Sequence, residues 1–192
     1  MATLSFPFRL NLEPQELGRF AATKTVERRL SDMVEYFLDR DAATGRLRTE
    51  DPIIYRFWEV ENHDAPRGLS LGVTTIAPGT IGREYHMTKG HFHTGDGDEV
   101  YVTLRGQGKL LLFSREGDHQ EFDMLPGSLC YIHTQYAHRT ANTGDEDFTF
   151  VAVWPPVIPH DYESVLRAGF PQLALKGANG PEVLPNPKFI QV

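Results

Sequence analysis

The segment "TKGHFHTGDGDEVYV", Thr88 to Val102, sets His91 and His93 two residues apart and brings Glu99 in after a glycine-acid turn. In a strand, residues i and i+2 share a face, about 7 Å apart by the strand rise. The turn allows Glu99 to return beside them. Neutral imidazoles with a carboxylate suit Zn, Mn, Fe, Ni or Co. A lone His-x-His is weak evidence, but two further features strengthen it. Gly106 ends the strand seven residues after Glu99, where another turn is needed, and "PGSLCYIHTQYAHRTAN" supplies a fourth donor, His138.

Such donors need a rigid frame, and the sequence offers one made of strands. From Ile53 onward come the runs "IIYRFWEV", "LSLGVTTI", "EVYVTLR", "KLLLFS", "SLCYI" and "FTFVAVW". Turn signals such as "APGTIG", "RGQG", "REGD" and "LPGS" separate them, a pattern expected of a sandwich or barrel. Before them, "LSDMVEYFLDRDAATG" reads as one short helix capped by Ser31 and ended by Gly45. Residues 1–30 have weak periodicity and are expected to wrap a larger body. After the strands, "DYESVLRAG" reads as a small helix ended by Gly169, followed by two short strands, "QLALK" and "PEVLP". No linker divides the 192 residues. A single domain is expected, with 1–50 as an N-terminal wrapping segment, 51–160 as the β-barrel and 161–192 as a C-terminal helix and tail.

Composition bounds the chemistry. A net charge of −7 argues against a nucleic-acid partner. It leaves room for an anionic small substrate that has local help from a metal, a lysine or backbone amides. Cys130 is the only cysteine, so no intrachain disulfide forms, and it reads as a buried core residue. The N-terminus lacks a signal-peptide pattern, and "FTFVAVWPPVIP" is too short and too proline-broken to span a bilayer. A cytoplasmic protein without membrane contact is expected.

"HFHTGDGDEVYVTLRG" resembles the first motif of the cupin superfamily, and "GSLCYIHTQYAHRTAN" the second. The resemblance implies an all-β fold, a cupin jelly-roll barrel with a few short peripheral helices. It also implies a metal held inside by His91, His93, Glu99 and His138. Where the usual second motif has proline and glycine, this chain has His133 and Gln135, so the turn before His138 is expected to differ. "RRLSDM", "EDPIIY", "TKGHFH", "EVYV", "AHRTAN" and "HDY" follow in order across roughly residues 28–162. Together they resemble the cupin-type glucose-6-phosphate isomerases. That implies interconversion of glucose 6-phosphate and fructose 6-phosphate in glycolysis or gluconeogenesis, and a homodimer. One divalent metal per chain is implied, Fe2+ first, with Mn2+, Ni2+, Zn2+ or Co2+ also compatible.

Aldose–ketose isomerisation moves hydrogen between C1 and C2, against the poor acidity of a C–H bond beside a carbonyl. A metal on O1 and O2 would stabilise an enediolate, and four protein ligands leave a six-coordinate ion open positions. Glu99 is the best candidate for the base that carries the proton, and the resemblance supports that role. A hydride shift would use the same ligands. By resemblance, Thr88, Lys89 and Gly90 lie beside the phosphate, with Tyr55, Thr74, Tyr101 and His160 lining the same cavity. Hydroxyls, a glycine amide and a cation are suitable partners for it. Trp154 stands where the family often has tyrosine and is left out of the site. His63, His86 and His119 have no partner pattern, His133 is close enough to approach the cavity, and "DGD" at Asp96–Asp98 lacks a calcium-loop frame. Two other readings remain open. One is a metal-dependent cupin enzyme such as a dioxygenase, against which the phosphate residues weigh. The other is a sugar-sensing module, which would usually carry a DNA-binding helical domain.

Overall fold

A computed structural model of the chain describes residues 9, 12, 22–60, 68–155 and 159–191. β1 (Lys24–Arg29), β2 (Ile53–Val60) and β3 (Ser70–Ile76) are followed by the two-residue strands β4 (Thr80–Ile81), β5 (Glu84–Tyr85) and β6 (Phe92–His93). Then come β7 (Glu99–Arg105), β8 (Gly108–Ser114), β9 (His119–Met124), β10 (Leu129–Ile132), β11 (Tyr136–Asn142) and β12 (Phe148–Trp154). The chain closes with β13 (His160–Asp161), β14 (Gln172–Gly177) and β15 (Gly180–Pro185). Two short helices, α1 (Arg40–Leu47) and α2 (Tyr162–Ala168), lie among them.

Period-two alternation builds the main sheet, ordered β1-β2-β3-β12-β7-β10 and antiparallel throughout. On β12, Phe148, Phe150, Ala152 and Trp154 are buried, while Val151 and Val153 are only partly covered. On β7, Glu99, Tyr101 and Thr103 point inward between the half-covered Val100 and Val102. Facing this sheet is a second, β11-β8-β9. The isolated bridges Met87–Ala141 and His91–His138 tie residues 87–91 to β11, and β13 pairs β6 with His160 opposite His93. The two sheets close round one cavity in the all-β jelly-roll arrangement. In the core, Phe92, Phe113, Phe148, Phe150 and Phe170 are each fully buried. Burying such a side chain contributes about 1.5–3 kcal/mol.

Residues 31–45 do not form the single helix that their spacing suggests. Leu30–Asp32 and Val34–Tyr36 are separate 3-10 turns, and α1 begins only at Arg40. The hydroxyl and amide of Ser31 donate to Asp51 at 2.8 and 2.9 Å, so they cap nothing. The Asp39 carboxylate is the cap, accepting from the Ala42 amide at 2.8 Å. Gly45 lies inside α1. Leu30, Met33 and Phe37 are buried at helix-like intervals, and the core contact rather than a continuous helix explains that spacing. β1 was hidden in the sequence by its charges: "KTVERR" puts Glu27 outward against Arg56 and Arg28 on the side of Tyr55. The tail strands form the β14–β15 hairpin, and α2 ends at Gly169 (φ +75°). No helix among the described residues is long and apolar enough to cross a membrane.

Candidate active site

The space between the sheets is a cavity of about 400 Å³. His91, Glu99 and His138 line its floor, and Tyr55, Thr74, Thr88, Lys89, Gly90, Tyr101 and His160 all reach its wall.

At the floor, four elements converge. His91 hangs from the bridge to β11, His93 ends β6, Glu99 begins β7, and His138 sits on β11. One donor atom from each lies within 4.8 Å of the others. Glu99 Oε2 is 3.1 Å from His138 Nε2 and 3.4 Å from His93 Nε2. These four atoms, the Nε2 of each histidine and Glu99 Oε2, are buried and lack any partner with hydrogen-bond geometry. Orphaned buried polar atoms are costly, and here all four are lone-pair donors aimed at one point. His93 is oriented from behind, its Nδ1 lying 3.1 Å from the Gly97 carbonyl; a ring N–H given to a carbonyl leaves Nε2 as the free donor. The set therefore fits a divalent ion. The glycine-acid turn that spaces the donors is itself pinned. Asp98 accepts from Tyr131 Oη and from the Thr134 amide, which leaves it a tied turn residue rather than a calcium ligand.

Electrostatics prepare the same atoms. Burial, then the neighbouring histidines His138, His160 and His93, push His91 well below the usual imidazole range, so it stays neutral. For Glu99, burial alone would raise the carboxyl, but His138 and His93 outweigh it and hold it at about 2. Tyr101 is pushed the other way, by burial and then by the Glu99 charge, so its hydroxyl keeps its proton beside the carboxylate.

The opposite end is cationic. Thr88, Lys89 and Gly90 run antiparallel to β11: the Thr88 amide donates to Thr140 O at 2.9 Å, and the Thr140 amide to Thr88 Oγ1 at 3.1 Å. Gly90 has φ +73°, and a Cβ there would lie 2.7 Å from the Phe170 ring and 2.9 Å from His138 O. Only glycine fits where the chain turns from Lys89 into His91. Lys89 Nζ stands 5.0 Å over the Tyr36 ring. Its ammonium is pulled below the usual lysine range by burial, then by the Arg28 charge. Beneath, Arg139 is almost fully buried. It donates to Lys89 O at 2.8 and 3.2 Å and lies 4.4 Å over Phe170.

Several cavity residues escaped the sequence reading. Arg28, Tyr36, Phe57, Glu59 and Tyr162 also line the wall, and so does Trp154, which the sequence reading had left out. Trp154 packs 6.2 Å from Phe57, an apolar wall in place of a hydroxyl. "RRLSDM" and "HDY" were the signals for Arg28 and Tyr162. His133 is exposed and its Nδ1 accepts from the Gln135 amide, away from the cavity. His86 is buried with Nδ1 on Ala77 O, His119 is exposed, and His63 lies outside the described residues.

A family model described as Glucose-6-phosphate isomerase (GPI) matches residues 27–178. The glucose-6-phosphate isomerase of Pyrococcus horikoshii is 38% identical over 175 residues, covering 91% of this chain and 93% of that protein. The Pyrococcus furiosus enzyme of the same name is 39% identical with the same coverage. A putative glucose-6-phosphate isomerase 1 of Rhizobium meliloti is 29% identical over 77% of this chain and 70% of its own. Among solved structures, the oxalate decarboxylase of Bacillus subtilis superposes with a TM-score of 0.47 at 18% identity, over 55% of this chain and 27% of that one. The Lactobacillus farciminis oxalate decarboxylase formate complex gives 0.48 at 22% identity, over 56% and 30%.

Proposed function

Since the chain belongs to the family of cupin-type glucose-6-phosphate isomerases, we propose that it divides that reaction between the two ends of its cavity, one for the carbonyl and one for the phosphate. It interconverts glucose 6-phosphate and fructose 6-phosphate, a step of glycolysis and gluconeogenesis. His91, His93, Glu99 and His138 hold one divalent ion per chain, Fe2+ in first place and Mn2+, Ni2+, Zn2+ or Co2+ as alternatives. The bound ion supplies Lewis acidity at the substrate carbonyl and so lowers the barrier to removing the adjacent proton.

The remaining work belongs to the protein. Glu99, ionised at neutral pH, accepts the proton from one carbon and returns it to the other. Tyr101 keeps the carboxylate oriented through its hydroxyl. Thr88, Lys89 and the Gly90 amide hold the phosphate, with Tyr55 and Thr74 on the same wall, which fixes the sugar's reach to the floor. His160, its ring 4.0 Å from that of His91 and 5.5 Å from that of His93, lies with Tyr162 beside the donor set and meets the substrate there rather than at the phosphate. The single observation that carries this reading is the convergence of four unpartnered donor atoms at the bottom of a cavity whose other end is cationic.

A net charge of −7 disfavours a nucleic-acid partner. A cytoplasmic homodimer agrees with the exposed Leu129 and Tyr131 on β10, beside Val102 and Val100 of β7. The reading is tested by a coupled assay of fructose 6-phosphate to glucose 6-phosphate before and after chelation. Activity that falls on chelation and returns with a divalent metal is expected. Full activity in verifiably metal-free protein would overturn the metal's part in it.

A further inference from the structure

At the cationic end stands a guanidinium that the reaction above leaves unemployed. Arg28 projects from β1 opposite Tyr55 and lines the cavity. Its charge acts on the Tyr55 hydroxyl across the β1–β2 pair, but its Nε is buried without a partner. The acids nearest it in sequence are engaged elsewhere. Glu27 faces the other side and pairs with Arg56 at 3.0 Å and with Arg29 at 2.8 Å. Asp32 accepts instead from the Arg29 amide. Arg139, the other guanidinium at this end, is committed to the Lys89 carbonyl and to Phe170. A buried charged donor without an acceptor is costly unless a ligand completes it. Lys89 is a point charge, whereas a guanidinium presents a planar fork that matches phosphate oxygens two at a time.

We propose that Arg28 is a substrate-binding residue that grips the 6-phosphate together with Lys89, so that the phosphate is recognised by two cations from two different elements. The inference rests on the reading of this end as the phosphate site. It assigns to the β1 strand a part in substrate selection: β1 delivers a fork that a neutral or singly charged head group would leave half used.

The probe is inorganic phosphate as a competitive inhibitor of fructose 6-phosphate turnover by the metal-loaded protein, with fold and metal content checked in each variant. Arg28→Met keeps the apolar stem and removes the fork. The expected result is at least a tenfold rise both in the phosphate inhibition constant and in KM for fructose 6-phosphate, about 1.4 kcal/mol each. Arg28→Lys, which keeps charge without the fork, is expected to fall between parent and Arg28→Met. It also serves if the methionine variant does not fold, and at least a threefold rise in both constants is then required. Constants within twofold of the parent overturn the proposal. Lys89→Met separates the two levels. If it weakens phosphate binding while Arg28→Met does not, Arg28 alone is misassigned; if neither variant changes phosphate inhibition, the phosphate end itself is misread.

Discussion

The floor of the cavity and its cationic end handle charge in opposite ways. At the floor, His91 is held neutral and Glu99 ionised, and the donor atoms are buried without hydrogen-bond partners. At the other end, Lys89 and Arg28 line the same wall, and burial, then the Arg28 charge, already weakens the hold of Lys89 on its proton. One end offers lone pairs to a cation and the other cations to an anion. A phosphorylated sugar bound to a metal completes both, and the cavity of about 400 Å³ joins them. Binding energy collected at the phosphate can therefore be used to place the carbonyl at the floor, which is where catalysis needs it.

The sharpest way to break this comparison is to remove the floor. His91→Ala combined with His138→Ala takes two of the four donors. Loss of the bound metal and of nearly all turnover is expected, read by elemental analysis of protein purified without chelator. Parent-like metal content in the double variant would dissolve the assignment.

The next effect is smaller and tests the other end. Losing several charge-assisted contacts, each worth about 1.5–3 kcal/mol, should lower kcat/KM for fructose at least tenfold below that for fructose 6-phosphate. Comparable efficiency on the two sugars would mean that the cationic end does not recognise phosphate.

The smallest effect concerns the segment that leads into Thr88. His86 is buried at 2% exposure, with Nδ1 3.1 Å from Ala77 O, and its pKa is lowered to about 4, chiefly by burial. The unfolded chain binds this proton more readily than the native one. Stability from neutral His86 is therefore present above about pH 6.5 and is lost as pH falls toward 4, about 3 kcal/mol in all. Glu84 opposes it. Burial raises its carboxyl to about 6, so its contribution grows as pH falls, by about 2 kcal/mol. Denaturant curves of the parent and His86→Gln isolate the histidine. Between about pH 7.5 and about pH 4 the parent should lose about 3 kcal/mol more than the variant. Parallel losses would remove His86 as an acid-sensitive support.

The two ends also differ in how far they can be read from the chain. The candidate metal donors are His91, just before β6, with His93 on β6, Glu99 on β7 and His138 on β11, and with Gly106 their spacing is local enough to stand out. The strands from "IIYRFWEV" to "FTFVAVW" were equally plain, because one face of each meets the core and alternation follows. The cationic end is assembled from distant pieces. Arg28 reaches it only because β1 pairs with β2 in one register, and "KTVERR" has too few apolar residues to announce a strand. Tyr36 arrives on a 3-10 turn inside what the spacing suggested was a helix. Trp154 was set aside for lacking a hydroxyl, yet its strand position points it into the cavity whatever its chemistry. Charged and aromatic residues at long range carry no periodic signal, so tertiary pairing alone brings them together.

The proposed division of labour turns finally on Glu99, assigned both as ligand and as base. Turnover of Glu99→Gln should be followed against added divalent metal, with occupancy measured independently. The amide oxygen still ligates weakly, but the group no longer accepts a proton. General-base catalysis contributes about 10²–10⁴ in rate, so turnover at full occupancy should remain below the parent by that order. Recovery to near-parent turnover at saturating metal would make Glu99 a ligand only and would favour a hydride shift or another base.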